Sequence, residues 1–302
     1  MKISVIIPTY NAKKYTPKLF EKVKEQTIDF ELIIIDSSST DNTVNIAKKY
    51  TNRVIVIPQS EFDHGGTRTK AAKIASGDIL VFLTQDALLA NNNSIELLVE
   101  VFKYVSVGAA YGRQLPYKNA SLSGSHLRKF NYGDKSYIRT YEDREKYGIK
   151  TAFLSDSFAA YRKSTLESIG WFKDGLIVGE DSYAGAKMIL ENHALAYVAD
   201  AMVYHSHSYT ILQEFKRYFD IGVFHKKESW ILKEFGKAEG EGGRYVKSEL
   251  TYLINKKAYL KIPEFFLRNG MKYLGYKLGY NHTKFSKSFS KKLTMHPSWW
   301  DK

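Results

Sequence analysis

Six acids and imidazoles of this chain stand where an α/β protein could use them: Asp36, Asp86, Glu180, Asp181, His205 and His207. Asp36 ends the apolar run Leu32-Ile33-Ile34-Ile35, and Asp86 follows Ile79-Leu80-Val81-Phe82-Leu83-Thr84-Gln85. A carboxylate at the carboxyl end of a buried strand sits where open α/β sheets bind ligands. With a divalent cation, two of them suit a nucleoside diphosphate, one reading the nucleoside and the other holding the metal. The plain alternative for both is capping of the next helix. Gly65-Gly66-Thr67-Arg68 at a helix start offers an anion its backbone N–H groups, the helix dipole and a guanidinium, or else is a simple loop-to-helix junction. Glu180-Asp181, after Gly179, opens another helix. The dipole would lower the pKa of a carboxylate there, leaving it ionised at neutral pH and able to act as a general base toward a hydroxyl, with a first-turn acid as the alternative. His205 and His207 share one face of an extended segment, spaced as a metal ligand and its neighbour or as two unrelated surface histidines.

Positioning these groups requires a sheet. The sequence predicts strands over residues 3–8, 31–36, 53–57 and 78–83, separated by helices over 14–26, 42–50 and 65–76, the last closed by Gly77 as a C-cap. A helix over 94–105, a strand over 108–112, a strand over 155–161, helices over 163–169 and 180–192 and a strand over 195–200 follow. Strands alternating with helices imply βαβ units and a mostly parallel sheet covered on both faces. Between them, residues 113–150 dissolve into Tyr, Ser, Asn, Gly and charges and read as a long functional or mobile loop. From Leu212 onward the pattern is helical, basic and aromatic. The expected organisation is an α/β domain over 1–210 and a helical region over 211–302 for acceptor, membrane-surface or subunit contacts.

Composition narrows the partners. Without cysteine among its 302 residues the chain builds no disulfide and no thiolate metal site, so any metal falls to Asp, Glu, His or carbonyl oxygen. The N-terminal apolar run is too short for a signal segment, and no window reaches the ~18–20 apolar residues of a membrane span. Neither export nor a transmembrane helix is expected. The net charge of +13 is uneven: residues 1–202 hold 26 Lys and Arg against 23 acids, and residues 203–302 hold 19 against 9. Over 265–302 eight basic residues and one acid are mixed with Phe265, Phe266, Tyr273, Tyr276, Tyr280, Phe285, Phe289, Trp299 and Trp300. That composition suits an interfacial helix on anionic lipid, or a basic face whose aromatics pack inward. A nucleic-acid binder needs no acids at its strand ends, so no nucleic-acid partner is expected.

Taken together, Val5-Ile6-Ile7-Pro8-Thr9-Tyr10-Asn11, Leu32-Ile33-Ile34-Ile35-Asp36-Ser37-Ser38-Ser39-Thr40-Asp41, Thr84-Gln85-Asp86 and Gly179-Glu180-Asp181 resemble, in order and spacing, an inverting family 2 glycosyltransferase of the GT-A fold. His64-Gly65-Gly66-Thr67-Arg68, Thr84-Gln85-Asp86-Ala87 and His205-Ser206-His207-Ser208-Tyr209 resemble its rhamnosyltransferases, which take L-rhamnose from dTDP-L-rhamnose. The resemblance covers residues 3–210. It implies that Pro8, Thr9, Tyr10, Asn11 and Gln85 line the nucleotide-sugar pocket, that Asp36 meets the pyrimidine, and that Arg68 sits by the nucleotide and diphosphate. It makes Asp86 the remnant of an Asp-X-Asp metal motif for Mg2+ or Mn2+, completed by His205 or His207, and Asp181 the catalytic base. It further implies a cytoplasmic enzyme at the inner face of the membrane, peripheral contact with that membrane, a lipid-linked saccharide acceptor and a possible homo-oligomer. Three positions depart from the family: Ser37 and Thr84 stand where acids are usual, and Thr69 where Asn often follows the arginine. One acid in the metal motif implies modest metal affinity and leaves metal-independent chemistry as an alternative. Use of a UDP-sugar and a catalytically silent homologue are the other readings.

Overall fold

The structure is a computed structural model that describes residues 1–236 and 239–301. The chain divides into two compact units, the first made of Met1–Leu115, Tyr132–Asp174 and Glu180–His205, the second of Pro116–Asn131, Gly175–Gly179 and Ser206–Lys302.

A single sheet organises the first unit. Its strands are β1 (Ile3–Thr9), β2 (Glu31–Asp36), β3 (Val54–Val56), β4 (Ile79–Leu83), β5 (Leu88–Leu89), β6 (Val107–Leu115), β7 (Tyr137–Arg139), β8 (Phe158–Arg162) and β9 (Ala194–Tyr204). The order is β3-β2-β1-β4-β8-β6-β9-β5, with β7 added on β9. β1 pairs in parallel with β2 and β4, and β2 with β3. β8 lies antiparallel between β4 and β6, while β6 and β9 are parallel. All five residues of β4 are buried, as expected of an unbroken apolar run covered on both faces. Val5, Ile7, Ile34, Val81 and Val203 share a core with Leu19 and Phe20 from the Thr16–Lys24 helix.

Two local expectations change. Gly77 is not a C-cap: the His64–Ile74 helix ends on Ala75, in an extended conformation. The glycine is needed because a Cβ there would stand 2.6 Å from the Ser4 backbone nitrogen, and its own N–H donates to Ser4 Oγ at 2.9 Å. Nor is 113–150 a structureless loop. It contains the end of β6, the Leu122–Asn131 helix and β7. The stretch packs on tyrosines of the sheet, which a polar reading hid: the Tyr137 hydroxyl meets that of Tyr111 at 2.6 Å, and Gly133 O accepts from Tyr197 Oη at 2.6 Å.

In the second unit the helices Ile211–Lys227 and Ile262–Tyr280 run in parallel, with Phe215 against Gly275 and Phe219 against Gly279. A Cβ at Gly222, Gly275 or Gly279 would run into backbone of the facing helix, so these small residues let the two backbones touch. Thr210 and Gln213 form a reciprocal capping box at the start of the first helix. Asp220 is buried inside the unit, accepting from Thr294 Oγ1 and from Met295 N. Among the described residues no helix is long and apolar enough to cross a membrane.

Candidate active site

The carboxyl ends of β1, β2 and β4 build one edge. Thr9 and Asp36 are register partners, and Thr9 Oγ1 donates to Asp36 Oδ2 at 2.7 Å. Ser39 adds its N–H to Oδ1 and its hydroxyl to Oδ2, each at 2.7 Å, so the fully buried Asp36 carboxylate holds the Ser37–Ser39 turn in place. Asn11 takes a left-handed backbone, φ 45°, which Asn tolerates better than most residues, and its Oδ1 accepts from Thr40 N at 2.8 Å. Gln85 ties β4 to β1: Tyr10 N donates to Gln85 Oε1 at 2.8 Å and Gln85 Nε2 to Tyr10 O at 3.3 Å. Pro8, Thr9, Tyr10, Asn11, Asp36 and Gln85 are thus gathered at one end of the sheet, with Tyr10 exposed.

Arg68 is placed differently from the expectation. The His64–Ile74 helix is already capped by a carboxylate, Asp63 Oδ1 accepting from Gly66 N at 2.8 Å, and Gly65 is required by contact with Lys173 O. The buried Arg68 guanidinium turns inward, with Nε 3.0 Å from Asp156 Oδ2 and Nη1 3.0 Å from Glu180 Oε1. The Arg68 guanidinium and the Gly66 N–H are engaged by the protein's own carboxylates, so an anion at this helix start would compete with them. Burial opposes the Arg68 charge, but Glu180, Asp156 and Asp181 outweigh it and hold its pKa above the ordinary value. Three acids surround this one cation, so they compete for it.

Asp181 is the half-buried member of that group. Its Oδ1 accepts from Ser182 N at 2.7 Å and its Oδ2 from Asp156 N at 3.2 Å. Burial first, then the Glu180 charge, push its pKa up to about 6, against the two amides and Arg68, which pull it down. The helix-dipole argument predicted a lowered value; desolvation and a neighbouring acid win here. A base titrating near working pH is well matched to proton transfer. Burial also raises the Asp156 pKa, with Arg68 opposing, while Tyr161 Oη donates to Asp156 Oδ1 at 2.5 Å.

Asp86 and His205 come together: Asp86 Oδ2 and His205 Nε2 are 3.5 Å apart. The ring is oriented from behind, His205 Nδ1 lying 2.8 Å from Gln114 Oε1. An amide oxygen can only accept, so Nδ1 carries the proton and, in the neutral ring, the Nε2 lone pair faces the carboxylate. A carboxylate and an imidazole lone pair at that distance make a donor set that fits a divalent cation. At the same edge Thr84 Oγ1, where the family has an acid, is buried without a hydrogen-bond partner. His207 falls in the second unit, its ring stacked on Tyr209 at 5.0 Å between centroids.

The turn Ser155-Asp156-Ser157 joins these pieces. Gln114 Nε2 donates to Ser155 Oγ at 2.9 Å, Asp156 N to Asp181, and Thr84 N to Ser157 O at 3.3 Å. One turn before β8 therefore ties together Asp181, the His205 support and the end of β4. Sequence reasoning missed Asp156 and Gln114 as site residues. Asp156 lies at the start of a strand rather than at its end, and only the antiparallel pairing of Phe158 with Leu83 brings it to the carboxyl edge of β4.

Residues 4–170 match the family described as Glycosyl transferase family 2. The chain is 46% identical over 301 residues to the O-antigen chain rhamnosyltransferase WbaN of Salmonella anatum, covering 99% of this chain and 95% of that protein. It is 46% identical over 304 residues to the O-antigen chain rhamnosyltransferase RfbN of Salmonella typhimurium, covering 100% and 96%. Among solved structures, the mannosyltransferase PcManGT from Pyrobaculum calidifontis in complex with GDP-Man and Mn2+ superposes with a TM-score of 0.65 at 16% identity, over 92% of this chain and 87% of that one. That likeness is one of fold, a mixed α/β sheet of the GT-A kind with a helical C-terminal region.

Proposed function

We propose that this chain, which belongs to glycosyl transferase family 2, moves L-rhamnose from dTDP-L-rhamnose, with inversion, onto a hydroxyl of a lipid-linked saccharide in cell-surface polysaccharide synthesis. One structural observation carries the reading: a base of raised pKa, Asp181, and the Asp86–His205 pair are tied into a single network by the Ser155-Asp156-Ser157 turn. Full-length similarity to two O-antigen rhamnosyltransferases supports the sugar and the pathway class.

In this reading Asp181 takes the proton of the acceptor hydroxyl, whose oxygen bonds to the anomeric carbon while the bond to the diphosphate breaks and dTDP leaves from the opposite face. A single displacement inverts the centre. The pocket formed by Pro8, Thr9, Tyr10, Asn11 and Gln85 holds the nucleotide, shaped by the turn that Asp36 anchors. Bound to Asp86 and His205, Mg2+ or Mn2+ would offset the charge of the departing diphosphate. Arg68 acts behind the base, balancing the acids that surround it. The enzyme works in the cytoplasm at the inner face of the membrane, with the second unit serving acceptor, membrane-surface or subunit contacts.

Incubating the purified protein with dTDP-L-rhamnose and a panel of UDP-sugars, and following released nucleotide and radiolabel passing into lipid extract, tests this. dTDP release and labelled lipid are expected from dTDP-L-rhamnose alone. Turnover of a UDP-sugar in its place would overturn the donor assignment.

A further inference from the structure

The Ile262–Tyr280 helix is apolar on two opposite sides. One side, through Gly275 and Gly279, packs on the Ile211–Lys227 helix. The other turns Phe266, Leu267, Tyr273 and Leu274 to solvent, two aromatic–leucine pairs seven residues apart and hence on one face. One repeat earlier stand Tyr259 and Leu260, and Leu260 is 96% exposed, Phe266 59% and Tyr273 59%. Gly270, in the middle of the stripe, has nothing within 4 Å of where a Cβ would stand, so no part of the unit covers it. Soluble chains seldom leave such a continuous stripe bare unless something binds it.

Charge indicates what binds it. Of the six Lys and Arg in residues 256–280, Arg268 and the buried Lys272 turn inward to Glu214, which leaves Lys256, Lys257, Lys261 and Lys277 against a single acid, Glu264, itself paired with Lys261 and Arg268. Lys256, Lys257 and Lys261 are exposed beside the apolar pairs, and Lys277 Nζ lies 5.4 Å from the Tyr273 ring centroid. We propose that this face rests on an anionic bilayer, its aromatic–leucine pairs in the headgroup boundary and the lysines among the lipid phosphates. A two-fold contact between copies would set the same lysines against each other, which disfavours a second chain as the occupant. The surface also differs from the one that composition alone suggested. Phe265, Tyr276 and Trp300 are buried within the unit and have nothing to offer a lipid. The inference deepens the membrane part of the proposed function and rests on that reading only for which membrane is met.

Flotation with vesicles of phosphatidylcholine containing about one third phosphatidylglycerol, compared with phosphatidylcholine alone, tests the face. The wild type should float with the anionic vesicles only. Leu260→Asp with Phe266→Asp should abolish flotation, and Lys256→Gln with Lys257→Gln should weaken binding about thirtyfold. These side chains are exposed, so the variants should keep the wild-type circular dichroism and the wild-type release of dTDP from dTDP-L-rhamnose. Flotation of the double aspartate variant like wild type, failure of the wild type to float, or a wild-type dimer in light scattering that the aspartates dissociate would each overturn the proposal. Loss of dTDP release with flotation intact would instead count against the transferase reading and leave this surface standing.

Discussion

The backbone N–H of Asp156 donates to Asp181 Oδ2 at 3.2 Å, so the candidate base is aimed by the same turn whose Ser155 supports Gln114 and, through it, His205. Asp181 and the Asp86–His205 pair are positioned by one three-residue segment.

Asp181→Asn keeps the shape and an accepting oxygen but removes the proton acceptor. It should lower kcat by ~10² or more while leaving dTDP-L-rhamnose affinity within a factor of about two. Steady-state rates with equilibrium dialysis of the donor check this, and near-normal turnover would remove Asp181 from the mechanism.

With its pKa pushed up to about 6, Asp181 is protonated below that pH and cannot accept a proton. The kcat profile should therefore fall on the acid side with a midpoint near 6. A stability signature accompanies it. A carboxyl whose folded pKa is raised binds its proton better folded than unfolded, so stability is favoured at low pH and lost as pH rises through the folded value. Asp181→Asn lacks this loss, so the Tm of the variant minus that of wild type should grow between about pH 4 and pH 6 and level off above that. A constant difference would mean that Asp181 titrates normally.

Gln114→Leu removes the acceptor that fixes the His205 tautomer. It should weaken Mn2+ binding about 10–100-fold, whereas Asp86→Ala should abolish the metal-dependent part of dTDP binding. Calorimetric titration with and without metal measures both. Wild-type dTDP affinity and turnover indifferent to added Mg2+ or Mn2+ would sink the metal assignment.

Arg68→Ala leaves Asp156 and Glu180 buried without their cation and should cost about 3–5 kcal/mol of stability, part of it recovered by adding Asp156→Asn. An arginine that bound diphosphate directly would behave otherwise, costing donor affinity and little stability. Chemical denaturation beside dTDP titration separates the two.

Gly279→Ala would drive a Cβ into Phe219 O where the two parallel helices touch. The expected loss is about 1–3 kcal/mol, with catalytic constants of the folded fraction unchanged. A variant as stable as wild type would show that the helices part without cost.

By itself the sequence determined the strands that end on Asp36 and precede Asp86, the helix that opens on Glu180-Asp181, and the motif set that names the family. Those are local properties, since apolar runs choose strands and a short motif keeps its spacing wherever the chain goes. What lay between distant segments it did not determine. The inward turn of Arg68 and the arrival of Asp156 at the active edge depend on β8 lying antiparallel beside β4, and the support of His205 by Gln114 on β6 lying parallel to β9. The raised pKa of Asp181 follows from desolvation and from Glu180, and only the packed structure sets the first of these. Composition likewise showed a basic aromatic C-terminal region but could not say which rings pack inward. The glycine contact between two helices decided that, burying Phe265 and Tyr276 and leaving Phe266 and Tyr273 on the surface.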